Sequence, residues 1–181
     1  MEAYHIMLRP LDDKDAEALY ELFKDEKGAS WIDFPITSLQ RFSNFISELI
    51  ASEFLGFSVS RVILDATEQK IVGMILLTNI DTENQSAQMG TWLGPSYRGR
   101  GVNKQAKEKM LQYAFTELNL EKVLLVTAEQ NIASIKAMDK LPYAQITPKE
   151  EYGALKKHYA FLYQKTILIY EITREAFFAK R

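Results

Sequence analysis

The chain has 181 residues, 47% of them hydrophobic, with 22 Lys and Arg against 24 Asp and Glu, a formal net charge of -2 and no cysteine. That length and apolar content suffice for one domain spanning 1–181 with a full core, and the near-balanced charge argues against a nucleic-acid binder working through a broad basic face. Without cysteine there is no disulfide, thiolate metal site or cysteine nucleophile, so any acyl transfer is direct or uses an oxygen nucleophile.

In chain order, His5 to Arg9 reads as a first strand, and Asp12 or Asp13 can cap a helix with Ala16, Leu19, Leu22 and Phe23 on one face. A loop through Trp31-Ile32-Asp33-Phe34-Pro35 leads to a second helix, capped by Ser38 and carrying Phe42, Phe45, Ile46 and Ile50. After Gly56 a strand runs from Phe57 to Leu64. Lys70 to Leu77 and Ala87 to Leu93 are two more, joined as an antiparallel hairpin by the polar stretch Asn79 to Ser86. A helix follows, with Val102, Ala106, Met110, Tyr113, Ala114 and Leu118 on its apolar face and Lys104, Lys107 and Lys109 on its solvated face. Asn119 can end it in a left-handed conformation, and Lys122 to Thr127 is an apolar, β-branched run of the kind buried in a sheet. A further helix starts at Asn131, and Ala154 to Phe161 with Thr166 to Thr173 suggest a closing antiparallel hairpin around Tyr163-Gln164-Lys165. The expected fold class is α/β, a mixed and mostly antiparallel sheet flanked by helices. The opening residues to Asp15 carry no signal-like apolar core, and the longest apolar run, Ile71 to Leu77, is too short to span a bilayer, so a cytoplasmic location without a membrane partner is expected.

The most informative stretch is Arg98-Gly99-Arg100-Gly101-Val102-Asn103, between the strand ending at Leu93 and the long helix. Its glycines permit turn conformations closed to other residues and a close approach of backbone to ligand. The amides that follow belong to a helix N-terminus, where unpaired N–H groups and the positive dipole end suit a pyrophosphate. A dinucleotide fold fits less well, because the third glycine and a ribose-binding acid after the second strand are missing.

With these residues in place, the span Gln88 to Tyr143 resembles the GCN5-related N-acetyltransferase (GNAT) superfamily, and Trp92 to Asn103 is most similar to its ribosomal-protein N-acetyltransferase-like branch. Arg98, Gly101 and Asn103 occupy the family signature, with Asn103 in place of the commoner Gly or Ala; Asn131 and Ser134 match a second element, an Asn followed three residues later by Ser or Ala. The resemblance implies that the strand before the signature and the strand after its helix splay apart. Acetyl-CoA would then be the co-substrate, with no metal. Main-chain amides from Arg98 to Asn103, including Gly99, Arg100, Gly101 and Val102, would wrap the diphosphate while Arg98 and Arg100 add charge-assisted contacts. Trp92 and Leu93 would pair with the pantetheine as a strand does, one amide polarising the thioester carbonyl. Asn131 would bond the pantetheine, although Asn is also an ordinary helix cap.

Catalytic residues are less clearly marked. An amine of lysine type, with a pKa of about 10.4, must lose a proton before or during attack. Many relatives use a glutamate on the strand before the signature; Gln88 stands there and cannot act as a base. Many also use a tyrosine seven residues after the helix asparagine to protonate the thiolate; Met138 stands there. Ser134, near the thioester sulfur in the family, and Tyr143 are the remaining donor candidates, each with a packing role as the alternative. Trp31 and Phe34, in the loop that forms one wall of the acceptor pocket in the resembled fold, and Gln88 would line that pocket, with core packing as the alternative for the two aromatics. His5 and His158 have no metal-ligand spacing. The reading is direct acetyl transfer to a primary amine on a peptide N-terminus, a polyamine or a small metabolite; the alternative is an acyl-CoA-binding or sensing module of the same fold with little or no turnover. The closing hairpin and the Ala176-Phe177-Phe178 tail offer apolar area for a homodimer.

Overall fold

The computed structural model describes residues 4–24 and 38–180. Trp31 and Phe34, expected to line the acceptor pocket, lie outside the described residues. The elements in order are β1 (Ile6–Pro10), α1 (Asp15–Phe23), α2 (Leu39–Phe54), β2 (Val59–Asp65), β3 (Ile71–Asp81), β4 (Ser86–Leu93), a 3-10 turn Pro95–Tyr97, α3 (Val102–Thr116), β5 (Lys122–Ala128), α4 (Ile132–Met138), β6 (Gln145–Ile146), α5 (Gly153–Tyr163), β7 (Ile167–Thr173) and α6 (Arg174–Ala179).

Among the described residues the strands form one sheet in the order β1-β2-β3-β4-β5-β7-β6. Every pairing is antiparallel except β4 with β5. The β3–β4 connection is the expected hairpin, while β4 reaches β5 through α3, the crossover that a parallel pair requires. Side chains alternate across the sheet, so each strand feeds two layers. On one face α1 and α2 cover Val62, Leu64, Met74, Leu76 and Trp92. On the other, α3 covers Ile63, Ile75, Ala87, Met89, Leu93, Val123 and Leu125.

Local chemistry accounts for the helix ends. Ser38 accepts from the Arg41 amide and starts α2, and Asn119 takes a left-handed φ of 52° just beyond α3, both as expected. The first helix begins later than expected: Asp12 accepts from the Lys14 amide at 3.0 Å, and the helix starts at Asp15. The Asp15 carboxylate takes two N–H groups of Arg9 at 2.7 Å each and ties α1 to β1.

Two expectations fail at the C-terminal end. Residues 154–161 form helix α5, not the first strand of a hairpin. Leu155, Tyr159 and Tyr163 recur every four residues, and this stripe packs on Leu124, Ala128, Ile167 and Ile169. The tail is also not free apolar surface throughout: Phe177, on α6, is fully buried against Phe115 and Tyr143, and Phe178 stays exposed. Among the described residues no helix is long and apolar enough to cross a membrane.

Candidate active site

The segment from Leu93 to α3 is a turn shaped by two glycines. Gly99 has φ of 73° and Gly101 φ of 79°, the left-handed region that side-chain-bearing residues resist. A Cβ at either would meet nothing within 4 Å, so it is the backbone conformation, not crowding, that requires glycine. Gly101 is also the residue from which α3 starts, and it offers no side chain to its first-turn amides. The N–H groups there are left for a ligand acceptor. Around the turn, Arg98 donates Nε–H to the Leu93 carbonyl at 3.0 Å. The Arg100 guanidinium lies 6.0 Å from the Tyr4 ring centroid, and Tyr4 meets Tyr97 edge to face. Both arginines remain exposed at the mouth.

Beside the turn, the sheet opens. β4 and β5 pair only over Ser86–Gln88 against Lys122–Leu124. Beyond that point β4 continues along β3 to Leu93, and β5 continues along β7 to Ala128. Met89–Leu93 and Leu125–Ala128 therefore border a wedge across which no ladder forms. A main chain with an unpaired edge accepts an extended amide-bearing chain as it would a strand, and the pantetheine of CoA is such a chain. The splay expected from the sequence is present.

The α3 side of this wedge is polar in a way the sequence reading missed. Lys107, placed there on a solvated face, is 6% exposed and donates from Nζ to the Thr91 hydroxyl at 2.9 Å. Burial pushes its pKa down to about 8. Asn103 Oδ1, one helical turn before it, and Thr127 Oγ1, on the unpaired part of β5, are buried without a hydrogen-bond partner among the described residues. Such orphaned groups are rare in native interiors and call for an occupant. The signal was in the sequence: Asn103, Lys107, Leu111 and Phe115 form one i, i+4 ridge, and its last two members are apolar.

The other candidates fall as follows. Asn131 caps α4 by accepting from the Ser134 amide at 3.1 Å, and Ser134 is half-buried in the first turn of that helix. Met138 is 2% exposed in the core. Tyr143 is 1% exposed with its ring against Phe177. Gln88 closes the paired part of β4 and accepts from the Tyr159 hydroxyl at 2.6 Å. It lines a cavity of about 400 Å³ with Asp81, Ser86, Lys122, Leu124 and Tyr152. Hydrogen bonds from Asn84 hold the Asp81 carboxyl below its usual range, so it is ionised at neutral pH. His5, just before β1 rather than in it, and His158, on α5, are both exposed.

Comparison with known proteins agrees with this geometry. Residues 5–143 match the family model described as an acetyltransferase (GNAT) domain. YdaF of Bacillus subtilis, provisionally named a ribosomal N-acetyltransferase, is 28% identical over 78% of this chain and 79% of its own. The spermidine N(1)-acetyltransferase of Escherichia coli is 25% identical over 78% of this chain and 74% of its own. Among solved structures, the spermidine N-acetyltransferase of Vibrio cholerae in complex with CoA and spermine superimposes with a TM-score of 0.76, covering 96% of this chain and 98% of the other at 18% identity.

Proposed function

The chain belongs to the GNAT acetyltransferase family, and on that premise we propose that it moves an acetyl group from acetyl-CoA directly to a primary amine within a ternary complex. The observation that carries this reading is the wedge between β4 and β5 with the glycine turn of α3 at its mouth. The diphosphate rests on the amides of Arg98, Gly99, Arg100, Gly101, Val102 and Asn103. The pantetheine runs along Trp92 and Leu93, with Asn131 and Ser134 on its other side. The amine arrives at the Gln88 end. Its nitrogen bonds to the thioester carbonyl carbon, negative charge grows on the carbonyl oxygen where a β4 amide receives it, and the C–S bond then breaks.

The acceptor is a cationic amine that sheds its proton in the site. Ionised Asp81 in the cavity beside Gln88 favours a charged substrate, and relatives named for spermidine or a ribosomal acceptor both act on amines. Gln88 supplies no base and Met138 no acid, which favours one further reading, an acyl-CoA-binding module with slow turnover.

Calorimetry tests the donor site: wild type binds acetyl-CoA saturably, and Gly101→Glu, which places a carboxylate and a strained backbone at the turn, weakens it by about 10²-fold or more. Equal binding by both refutes the assignment. Thiol release with polyamines, peptide N-termini and small amines separates the enzyme from the binding module.

A further inference from the structure

The α3 side of the wedge holds more hydrogen-bonding capacity than its neighbours use. An ammonium has three N–H groups, and among the described residues the one hydrogen bond of Lys107 is to Thr91 at 2.9 Å. Its depressed pKa has desolvation as its only cause, with no carboxylate compensating it. A buried cation without a counter-charge is costly, and here it stands behind one side chain of the unpaired β4 edge.

The position of Thr91 along β4 defines what it meets. Trp92 and Leu93 flank it toward the phosphate turn, where the pantetheine pairs, and Gln88 lies three residues away at the acceptor end. On the proposed course of the pantetheine, the thioester sulfur would pass between those stretches. Because Thr91 Oγ1 accepts from Lys107, the hydroxyl's own hydrogen is left to point to another acceptor.

Resting on the acetyltransferase reading above, we infer that Thr91 and Lys107 form a proton relay to the sulfur of the bound thioester, Thr91 touching the sulfur and Lys107 standing behind it as the proton source. As the amine nitrogen bonds to the carbonyl carbon and the C–S bond breaks, sulfur keeps the bonding pair and takes the Thr91 hydroxyl proton. Thr91 takes a proton from Lys107 Nζ. The neutral Lys107 amine regains one from water after CoA leaves, and the proton lost by the attacking nitrogen goes to solvent. The relay supplies the acid that Met138 cannot.

The proton affinities match. Lys107 at about 8 lies close to the ordinary thiol value of about 8.5, so transfer is nearly balanced in energy. Other charged groups on the surrounding elements are engaged or distant. On α3, Lys104 pairs with Glu108 at 3.8 Å and Lys109 is exposed. On β1, Arg9 holds Asp15. Asp81 of β3 and Lys122 of β5 both pair with Ser86, at the opposite end of β4 from the turn.

Free CoA bound without any acceptor provides the test, since its thiolate is followed by ultraviolet absorbance during a pH titration. In wild type the bound thiol titrates about one unit or more below its usual 8.5. Lys107→Met and Thr91→Val each return it to the usual value, whereas Lys109→Met, at an exposed position of the same helix, leaves it lowered. In turnover, both relay variants lose about 10²-fold in kcat with acetyl-CoA affinity unchanged, and the fall of wild-type kcat above about pH 8 disappears in Lys107→Met. Should Lys107→Met not fold, Thr91→Val gives the same readings. A bound thiol that titrates normally in wild type, or a shift that survives both relay substitutions, overturns the relay. If CoA fails to bind wild type at all, it is the acetyltransferase reading that falls.

Discussion

The five residues Met89–Leu93 of β4 meet two different environments across the thickness of one strand. On the α1–α2 side, Trp92 is 3% exposed, stacks on Phe23 with ring centroids 3.4 Å apart and meets Phe42 edge-on at 6.4 Å. Aliphatic Leu19, Ile46 and Met74 complete that layer. On the α3 side, Thr91 meets a buried ammonium, and the buried Asn103 and Thr127 oxygens have no hydrogen-bond partner among the described residues. The first face is filled by aromatic and aliphatic side chains among the described residues. The second is closed only when something else supplies acceptors and donors. Packing is thus concentrated on one side of the strand and unsatisfied polar capacity on the other, and substitutions on the two sides probe them separately.

The largest effect comes from breaking the packed face. Trp92→Ala should cost about 3–5 kcal/mol of stability, read as a lower urea midpoint. The folded fraction should keep its acetyl-CoA affinity, because β4 contributes main-chain groups there. A loss of affinity as large as the loss of stability would erase the division. Next in size is the polar face without ligand. The Lys107 pKa is depressed on folding, so the unfolded chain binds more protons between about pH 8 and 10.4, and apo stability rises with pH through that window. The burden is fully present below about pH 8. Lys107→Met should remove it, making the apoprotein more stable at neutral pH by up to roughly 3 kcal/mol; paired urea melts at pH 7 and pH 10 should show the gap between variant and wild type closing as pH rises. The smallest effect sharpens the role of Asn131. Serine preserves a cap acceptor, so Asn131→Ser should leave the melting temperature in place while weakening acetyl-CoA about tenfold, near 1.4 kcal/mol. Unchanged affinity would leave Asn131 as a cap alone.

The parts of this molecule governed by local chemistry were legible in the chain. Arg98-Gly99-Arg100-Gly101 announces its turn because positive φ is a property of the residue itself, and both glycines adopt it. Ser38 and Asn119 end their helices for equally local reasons. The misreadings arise where two periods compete. In 154–161 the four-residue spacing of Leu155 and Tyr159 prevailed over an apparent strand pattern, because their partners lie on β5 and β7. Lys107 was assigned to water by residue type, although its ridge continues into Leu111 and Phe115, both fully buried. The spacing of that ridge was legible in the chain, and what residue type concealed is the partner, Thr91, which only the facing strand places opposite it. Phe177 was readable as apolar but not as core, since α6 has six residues and owes its position to Phe115 and Tyr143.

The bond from Arg98 to the Leu93 carbonyl has a kinetic consequence. It staples the loop to the strand in the unliganded fold, so, on the proposed role of this turn, its conformational entropy is spent during folding and not at encounter. Capture should therefore proceed in one step at a rate set by diffusion and orientation, with no slow isomerisation following the first collision.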